Sequence, residues 1–181
     1  ASCVVVHGMG GTGKTVTAVA VLQEVSIRAF FNSGIYWLTV GADAVGERMK
    51  DLMGILHKQL TGKSLSSEEA SAKSEQDWQQ MLVQAMVQKR RALIVLDDPW
   101  MPEQVCFLNP IDASQSEHRL LITTRIQDLV PKAVRVELPL MGKAEAVALL
   151  LGRAGVEEAN YLKENEGAAW PPRAAYTIAS E

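Results

Sequence analysis

The feature that most constrains this chain is a glycine-rich octapeptide at residues 8–15, with the sequence GMGGTGKT. It follows a Val-rich apolar run at residues 1–7 and precedes a helix-forming run at residues 16–29. Because glycine lacks a Cβ atom, its backbone adopts positive φ angles and can turn several N–H groups towards one anion. The spacing G-x-x-x-x-G-K-[ST] between a strand and a helix predicts a phosphate-binding loop. A flexible glycine-rich turn is the alternative.

Each part of the octapeptide has its own predicted task. Lys14 brings a positive charge to the β- and γ-phosphates, Thr15 offers a hydroxyl to Mg²⁺, and the next helix presents its positive end to the anion. The candidate nucleotide contacts are the loop and the residue after it: Gly8, Met9, Gly10, Gly11, Thr12, Gly13, Lys14, Thr15 and Val16.

Composition limits the kinds of partner that the chain can have. Its 181 residues, 48% apolar and 22% charged, suffice for one sizeable core and part of a second unit. The net charge of −3 gives no electrostatic reason to expect binding to nucleic acid or to an anionic membrane. The one basic cluster, Lys-Arg-Arg at residues 89–91, stands where a helix should end, so we expect it to complement that helix dipole.

The cysteines and the lack of long apolar runs bear on the cellular compartment in which the protein is expected. Cys3 and Cys106 lie in separate apolar stretches, with no Cys or His at metal-ligand spacing. We therefore expect buried free thiols in a reducing environment. The sequence has no run of about 18 apolar residues and no basic-then-apolar leader. It predicts a soluble, cytoplasmic protein.

Strand-like and helix-like patterns alternate along most of the chain. Apolar runs predict strands at residues 1–7, 35–40, 92–96, 119–124 and 134–138. Residues 16–31 are nearly apolar all round, which predicts a helix that packs against the sheet and its neighbours. Apolar spacing of three and four predicts helices at residues 45–60 and 76–89, and from residue 143 onward, with shorter segments at 157–166 and 172–181. Residues 63–74, rich in Ser and Glu, predict an exposed loop. The pattern is typical of a three-layer α/β domain followed by helices.

An acidic pair emerges where the third predicted strand ends. Residues 97–100 read Asp-Asp-Pro-Trp, and ligands of open α/β sheets bind beyond the carboxyl ends of the strands. Asp97 is placed to hold Mg²⁺ together with Thr15. Asp98 could orient or deprotonate an attacking water. The alternative is a simple turn after a strand, favoured by Pro99.

A cation follows the fourth predicted strand. Arg125 stands just after the run Leu-Leu-Ile-Thr-Thr at residues 120–124. At that edge of the sheet it could reach a terminal phosphate and sense whether one is present. The alternative is an ordinary surface cation.

Four motifs in this order resemble the NB-ARC domain of the STAND-class NTPases, the switch module of plant-type immune receptors and apoptosis adaptors. They are the phosphate loop at 8–15, the strand with its Asp-Asp-x-Trp end at 93–100, the Ile-Thr-Thr-Arg element ending at Arg125, and Val-Glu-Leu-Pro-Leu at 136–140 with Glu-Ala at 145–146. The resemblance covers about residues 1–155. It implies a five-stranded parallel sheet of order 2-3-4-1-5.

The resemblance also implies a function. It predicts a molecule held inactive by ADP, activated by exchange for ATP and reset by slow hydrolysis, with assembly as its output. Residues 170–174, with the sequence WPPRA, stand where the family has Gly-Leu-Pro-Leu-Ala, which implies a contact of Pro172 with the adenine or the ribose. Trp170 and Arg173 depart from that apolar pattern.

The start of the chain on a strand expected in mid-sheet predicts a fragment of a longer protein. The resemblance implies an upstream segment over the adenine, a downstream winged-helix subdomain, and protein partners that bind through such flanking domains. We expect residues 1–140 to form the nucleotide-binding domain and residues 141–181 to begin an incomplete helical subdomain.

Other functional classes share these motifs. The alternatives are a P-loop ATPase motor or a kinase, and a truncated module that binds nucleotide without turnover. A GTPase is disfavoured, because Asn-Pro-Ile-Asp at residues 109–112 lacks the lysine of a guanine-reading Asn-Lys-x-Asp. An AAA-type motor would normally carry Glu in place of Asp98. The leading hypothesis is a switch that is at most a slow ATPase, with Lys14, Asp98 and Arg125 as its catalytic candidates.

Overall fold

The computed structural model describes residues 2–112 and 117–156. The chain divides into two units, Ala1–Leu138 and Pro139–Glu181. Within the described residues, the strands are Cys3–His7 (β1), Ile35–Thr39 (β2), Leu93–Asp97 (β3), Arg119–Thr124 (β4) and Val134–Glu137 (β5). The helices of this part of the chain are Lys14–Gln23 (α1), Val25–Phe30 (α2), Glu47–Thr61 (α3), Ser67–Ser71 (α4), Glu75–Val87 (α5), Pro102–Leu108 (α6) and Lys143–Arg153 (α7).

The first unit is built on a parallel sheet of order β2-β3-β4-β1-β5. This confirms the fold class and the strand order expected from the sequence. All of β3 is buried, as a Leu-Ile-Val run requires, whereas β5 alternates Val with charged residues and lies exposed at one edge. In register, Thr39 lies beside Asp97, and Asp97 lies beside Thr123. The carboxyl ends of the central strands therefore meet at one edge of the sheet.

Helices α3 and α5 supply much of the core through the spacing read from the sequence. Their buried residues are Met49, Leu52, Met53, Leu56, His57 and Leu60 on α3, and Trp78, Leu82 and Met86 on α5. Helix α3 ends at Gly62, whose φ of +74° suits glycine. The prediction that Val45 belongs to this apolar face was wrong, because Val45 precedes the helix and is exposed.

The single helix predicted at residues 16–31 is two helices, α1 and α2, separated by Glu24 in an extended conformation. Its valines were expected to pack, but Val16 is 72% and Val25 82% exposed, and on α1 only Lys14 and Ala18 are buried. A segment that is apolar all round gives no periodic signal of which face is buried. No Gly or Pro stands at the interruption, so no helix-breaking residue marks it in the sequence.

Two short helices were not predicted. The stretch at residues 63–74, expected to be a loop, contains α4, which begins with a reciprocal capping box between Ser66 and Glu69. This Ser-x-x-Glu spacing was visible in the sequence and signals a helix start. Helix α6 begins with Pro102 at its first position, another sequence signal of a helix N-terminus.

The basic cluster at residues 89–91 does not complement a helix end as expected. Helix α5 stops at Val87 and has no basic residue in its last turn. The ammonium of Lys89 lies 5.3 Å from the centroid of the Tyr36 ring. The Arg91 guanidinium lies 5.0 Å from the Phe30 ring and pairs with Glu117. The charges of Lys89 and Arg91 therefore interact with aromatic rings and a carboxylate from other elements rather than with a helix dipole.

The second unit contains α7. Val147 and Leu151 are buried, whereas Leu150 and Ala154, predicted on the same face, are exposed. Gly155 follows with φ of +71°, as expected of a residue that ends a helix. The segments predicted at 157–166 and 172–181 lie outside the described residues.

The two cysteines differ in exposure. Cys3 is half-buried, and burial raises the pKa of its thiol to about 11. Cys106 is exposed, so its predicted burial was wrong. On α6 the buried positions are Gln104, Val105 and Leu108, which leaves Cys106 on the outer side. Over residues 2–112 and 117–156, no helix has the length and apolarity that crossing a membrane requires.

Candidate functional site

The phosphate loop predicted from the octapeptide joins β1 to α1. A Cβ atom at Gly8 would lie 2.5 Å from the carbonyl oxygen of Leu138, which is closer than real Cβ contacts come. Gly13, with φ of +89°, immediately precedes α1. A side chain at Gly8 is therefore excluded by space, and one at Gly13 is disfavoured by backbone conformation.

Lys14 is buried within this loop, with only 8% of its surface exposed. Its Nζ donates hydrogen bonds to the carbonyl oxygens of Gly8, at 2.9 Å, and Met9, at 2.6 Å. No carboxylate forms a salt bridge with it among the described residues. A buried ammonium paired with neutral carbonyls alone keeps a strong attraction for an anion.

Asp97 and Thr15 come together as the sequence predicted for a metal site. Thr15 Oγ1 donates to Asp97 Oδ1 at 2.7 Å, and Thr123 Oγ1 donates to the same oxygen. Within the described part of the chain, no hydrogen bond reaches Asp97 Oδ2. Two hydroxyls fix the orientation of this carboxylate while its second oxygen keeps its capacity to coordinate.

Asp98 has an unusual backbone conformation, with φ of +57°. Its N–H donates to the Thr123 carbonyl at 2.8 Å, and its own carbonyl accepts from the N–H of Gly41 at 3.1 Å. Partners in β4 and in the segment after β2 thus hold it in a left-handed conformation that Asp tolerates better than most residues. Its carboxylate lies 3.6 Å from Arg125 Nε and accepts from the indole N–H of Trp100 at 3.2 Å.

Arg125 lies above the phosphate loop. Its guanidinium carbon is 5.2 Å from the centroid of the Trp100 ring. A Cβ atom at Gly10 would come within 3.3 Å of its terminal nitrogen. The predicted sensor residue therefore contacts the loop region, Asp98 and an aromatic ring at the same time.

These side chains surround a cavity of about 420 Å³, a size that suits a small ligand. Its lining residues are Gly10, Gly11, Gly13, Lys14, Thr15, Val16, Thr39, Asp97, Asp98, Thr123 and Arg125. The structure thus brings together most of the predicted site residues around one space.

Some predicted contacts lie elsewhere, and two lining residues were missed. Gly8, Met9 and Thr12 do not line the cavity, and Met9 is exposed, with its carbonyl accepting from the Thr12 hydroxyl at 3.0 Å. Pro172 lies outside the described residues. Thr39 and Thr123 were not predicted as site residues, although their positions at the carboxyl ends of β2 and β4 are a signal that could have found them.

The donor set around Thr15 and Asp97 fits Mg²⁺. This ion prefers oxygen ligands and usually takes only one or two carboxylates from the protein, with waters and phosphate oxygens completing its shell. Across the described residues, no cluster of three or more His, Cys, Asp or Glu side chains could hold a metal on its own. The site therefore suits a cation that arrives with phosphate groups better than a permanently bound metal.

Comparisons with known proteins identify a family and support the fold. The family model described as the NB-ARC domain matches residues 1–159. The chain is also similar to the structure of a STAND protein with a tetratricopeptide repeat sensor from Pyrococcus horikoshii. The TM-score is 0.54 and the identity 19%, and the match covers 90% of this chain and 25% of that one.

A second solved structure is that of Drosophila ORC bound to DNA. The TM-score is 0.55 and the identity 17%, and the match covers 90% of this chain and 44% of that one. At these identities the two structures support the fold alone. None of the curated proteins matches the chain. The chain spans a quarter to less than half the length of the structures it matches.

Proposed function

The chain belongs to the NB-ARC domain family, the nucleotide-binding domain of STAND-class P-loop NTPases, and on that premise we propose that it is an ADP/ATP switch that requires Mg²⁺. One observation carries the proposal: Lys14, Thr15, Asp97 and Arg125 line the same cavity at the carboxyl ends of the strands. Two cations, a hydroxyl and a carboxylate at this edge suit a ligand that combines phosphates with a divalent ion.

Phosphate binding rests on the loop and Lys14. The ammonium needs little reorganisation to meet an anion, because it already lies within the loop, where its hydrogen-bond partners among the described residues are two carbonyl oxygens. The backbone N–H groups of the loop and of the first turn of α1 add further hydrogen-bond donors, whose partial positive charges also attract phosphate. Charge-assisted hydrogen bonds of this kind are roughly twice as strong as neutral ones.

Thr15 and Asp97 would hold Mg²⁺ when nucleotide binds. The ion would supply charge neutralisation for the phosphate oxygens. The contribution of the chain is orientation, since two hydroxyls hold Asp97 through Oδ1 and leave Oδ2 for the ion.

Slow hydrolysis follows from the surroundings of Asp98. In this proposal Asp98 orients the attacking water, but its carboxylate already engages Arg125 and the Trp100 indole. Both of its oxygens already have partners, which leaves the carboxylate less available to hold a water in line with the terminal phosphate. We therefore expect turnover slow enough for nucleotide exchange, rather than continuous hydrolysis, to set the state.

Arg125 is the proposed sensor. Its ion pair with Asp98, at 3.6 Å, is longer than a hydrogen bond and leaves donors of the guanidinium for a terminal phosphate, which ATP has and ADP lacks. Beyond the cavity, the proposal includes a Pro172 contact with the adenine or ribose, protein partners that bind through flanking domains, and assembly that depends on the nucleotide. These parts rest on family membership and on the sequence motifs.

Calorimetric titration with Mg-ADP tests the binding site. Lys14→Ala should weaken the affinity by roughly 100-fold or to below detection, because a buried charged donor is lost. Lys63→Ala is the matched control, since Lys63 is an exposed lysine that does not line the cavity. Equal affinity in the wild type and the Lys14 variant would contradict the proposal. Rapid multiple-turnover hydrolysis of ATP would favour a motor instead of a switch.

A further inference from the structure

We propose that Trp100 is a positioning residue that holds Arg125 over the phosphate loop and thereby increases the preference of the site for a nucleoside triphosphate over a diphosphate. The inference rests on the proposed function, in which Arg125 senses the terminal phosphate. It assigns a role to a side chain that does not itself line the cavity.

Arg125 needs such support, because the rest of its surroundings hold it weakly. About half of its side chain is exposed, and its ion pair with Asp98 spans 3.6 Å. An exposed arginine pays side-chain entropy to remain in one position, and one long surface ion pair offsets little of that cost. The Trp100 ring, 5.2 Å from the guanidinium carbon, adds a face against which the cation packs.

The indole also fixes the carboxylate that faces Arg125. Trp100 Nε1 donates to Asp98 Oδ2, and the ion pair with Arg125 uses the other oxygen, Oδ1. One side chain therefore acts on Arg125 twice, directly through its ring and indirectly through Asp98. Phenylalanine could supply only the first of these contacts, and leucine neither of them.

The backbone of Trp100 is itself anchored. Its N–H donates to Gln104 Oε1 at 2.7 Å, and the Gln104 amide nitrogen donates to the carbonyls of Gly41, at 3.0 Å, and Ala44, at 3.2 Å. Gln104 is 1% exposed, so this network is shielded from water. These hydrogen bonds hold the backbone that carries the indole ring in place, as a positioning role requires.

The test compares two affinities in each variant of the 181-residue chain. Calorimetry gives the Kd for Mg-ADP and for the Mg complex of a non-hydrolysable ATP analogue. Trp100→Leu should lower the preference for the triphosphate by about two- to fivefold, the range of an exposed cation–π contact. Trp100→Phe should lower it less, because the ring remains. Phe30→Leu should leave it unchanged, although Phe30 also packs on an arginine, Arg91, away from the cavity.

A double-variant cycle separates positioning from general damage to the fold. In an Arg125→Ala background, Trp100→Leu should change the preference no further, because the residue that it positions is absent. An unchanged preference in Trp100→Leu with Mg-ADP still bound would overturn this inference and leave the proposed function standing. An equal loss in the Arg125→Ala background would also overturn it. Failure of the wild type to bind either nucleotide would overturn both.

Discussion

Each end of the central strands carries an arginine, a carboxylate and an aromatic ring. At the amino ends, the fork of Arg91 forms two hydrogen bonds with Glu117, Nε to Oε2 and Nη2 to Oε1, both at 3.1 Å. The Phe30 ring lies 5.0 Å from the guanidinium. Nearby backbone donors are satisfied within the protein, since Ser33 Oγ accepts from Arg91 N and His118 Nδ1 accepts from Ala92 N.

The cluster at the carboxyl ends has the same components but a looser arrangement. The ion pair of Arg125 with Asp98 spans 3.6 Å, longer than a hydrogen bond, and Asp97 Oδ2 accepts no hydrogen bond within the described residues. A bidentate pair uses the directional donors of arginine, whereas a longer ion pair without a hydrogen bond leaves them available. Similar side chains therefore serve folding where their donors and acceptors are used up, and suit binding where they are not.

Among the changes that compare the two ends of the strands, Asp97→Asn at the carboxyl ends should have the largest effect. The amide oxygen can still accept from Thr15 and Thr123, so the free energy of unfolding should change by less than about 1 kcal/mol. Without the negative charge, the gain in nucleotide affinity that Mg²⁺ provides should fall by about tenfold or more. Calorimetry with Mg²⁺ and with a chelator measures this gain, and an undiminished gain in the variant would show that Asp97 is not a ligand.

His118→Leu is the corresponding change at the amino ends, and it should affect stability without affecting binding. It leaves the buried N–H of Ala92 without its acceptor, at a cost of about 1 to 3 kcal/mol. Denaturant unfolding measures this loss, and titration with Mg-ADP should give the wild-type affinity. A large loss of Mg-ADP affinity with an unchanged free energy of unfolding would contradict the assignment of binding to the carboxyl ends and of folding to the amino ends.

The same variant should change how stability depends on pH. Burial lowers the pKa of His118 below its ordinary 6.5, so the folded protein keeps this imidazole neutral while the unfolded chain takes up a proton. The wild type should therefore lose stability as pH falls from about 6.5 towards the lowered pKa. His118→Leu should show a smaller loss over that range. Some dependence should remain, because burial also lowers the pKa of His57.

The sequence predicted the carboxyl ends better than the amino ends, and the reason is physical. The loop at residues 8–15 and the acidic pair Asp97 and Asp98 are local sequence patterns, and their residue types suit few functions other than phosphate and metal binding. Both follow strands of a parallel sheet, which brings the carboxyl ends of its strands to one edge. The pairing of Arg91 with Glu117 joins residues 26 positions apart through tertiary packing, which no local pattern encodes. The contact of Trp100 with Arg125 is of this second kind, although both residues belong to motifs visible in the sequence.

The smallest expected effect is that of Glu117→Gln, which breaks the tighter of the two arginine clusters. Both partners are substantially exposed, and exposed ion pairs contribute little even with good geometry. The hydrogen bond from Arg91 lowers the pKa of Glu117 below its ordinary 4.5, so the pair stabilises the fold above that pH and loses its effect as pH falls through the lowered pKa. Thermal unfolding at neutral pH should show a slightly lower midpoint for the variant, and the difference should vanish in acid. A change in nucleotide affinity instead would mean that the amino-end cluster is coupled to the site.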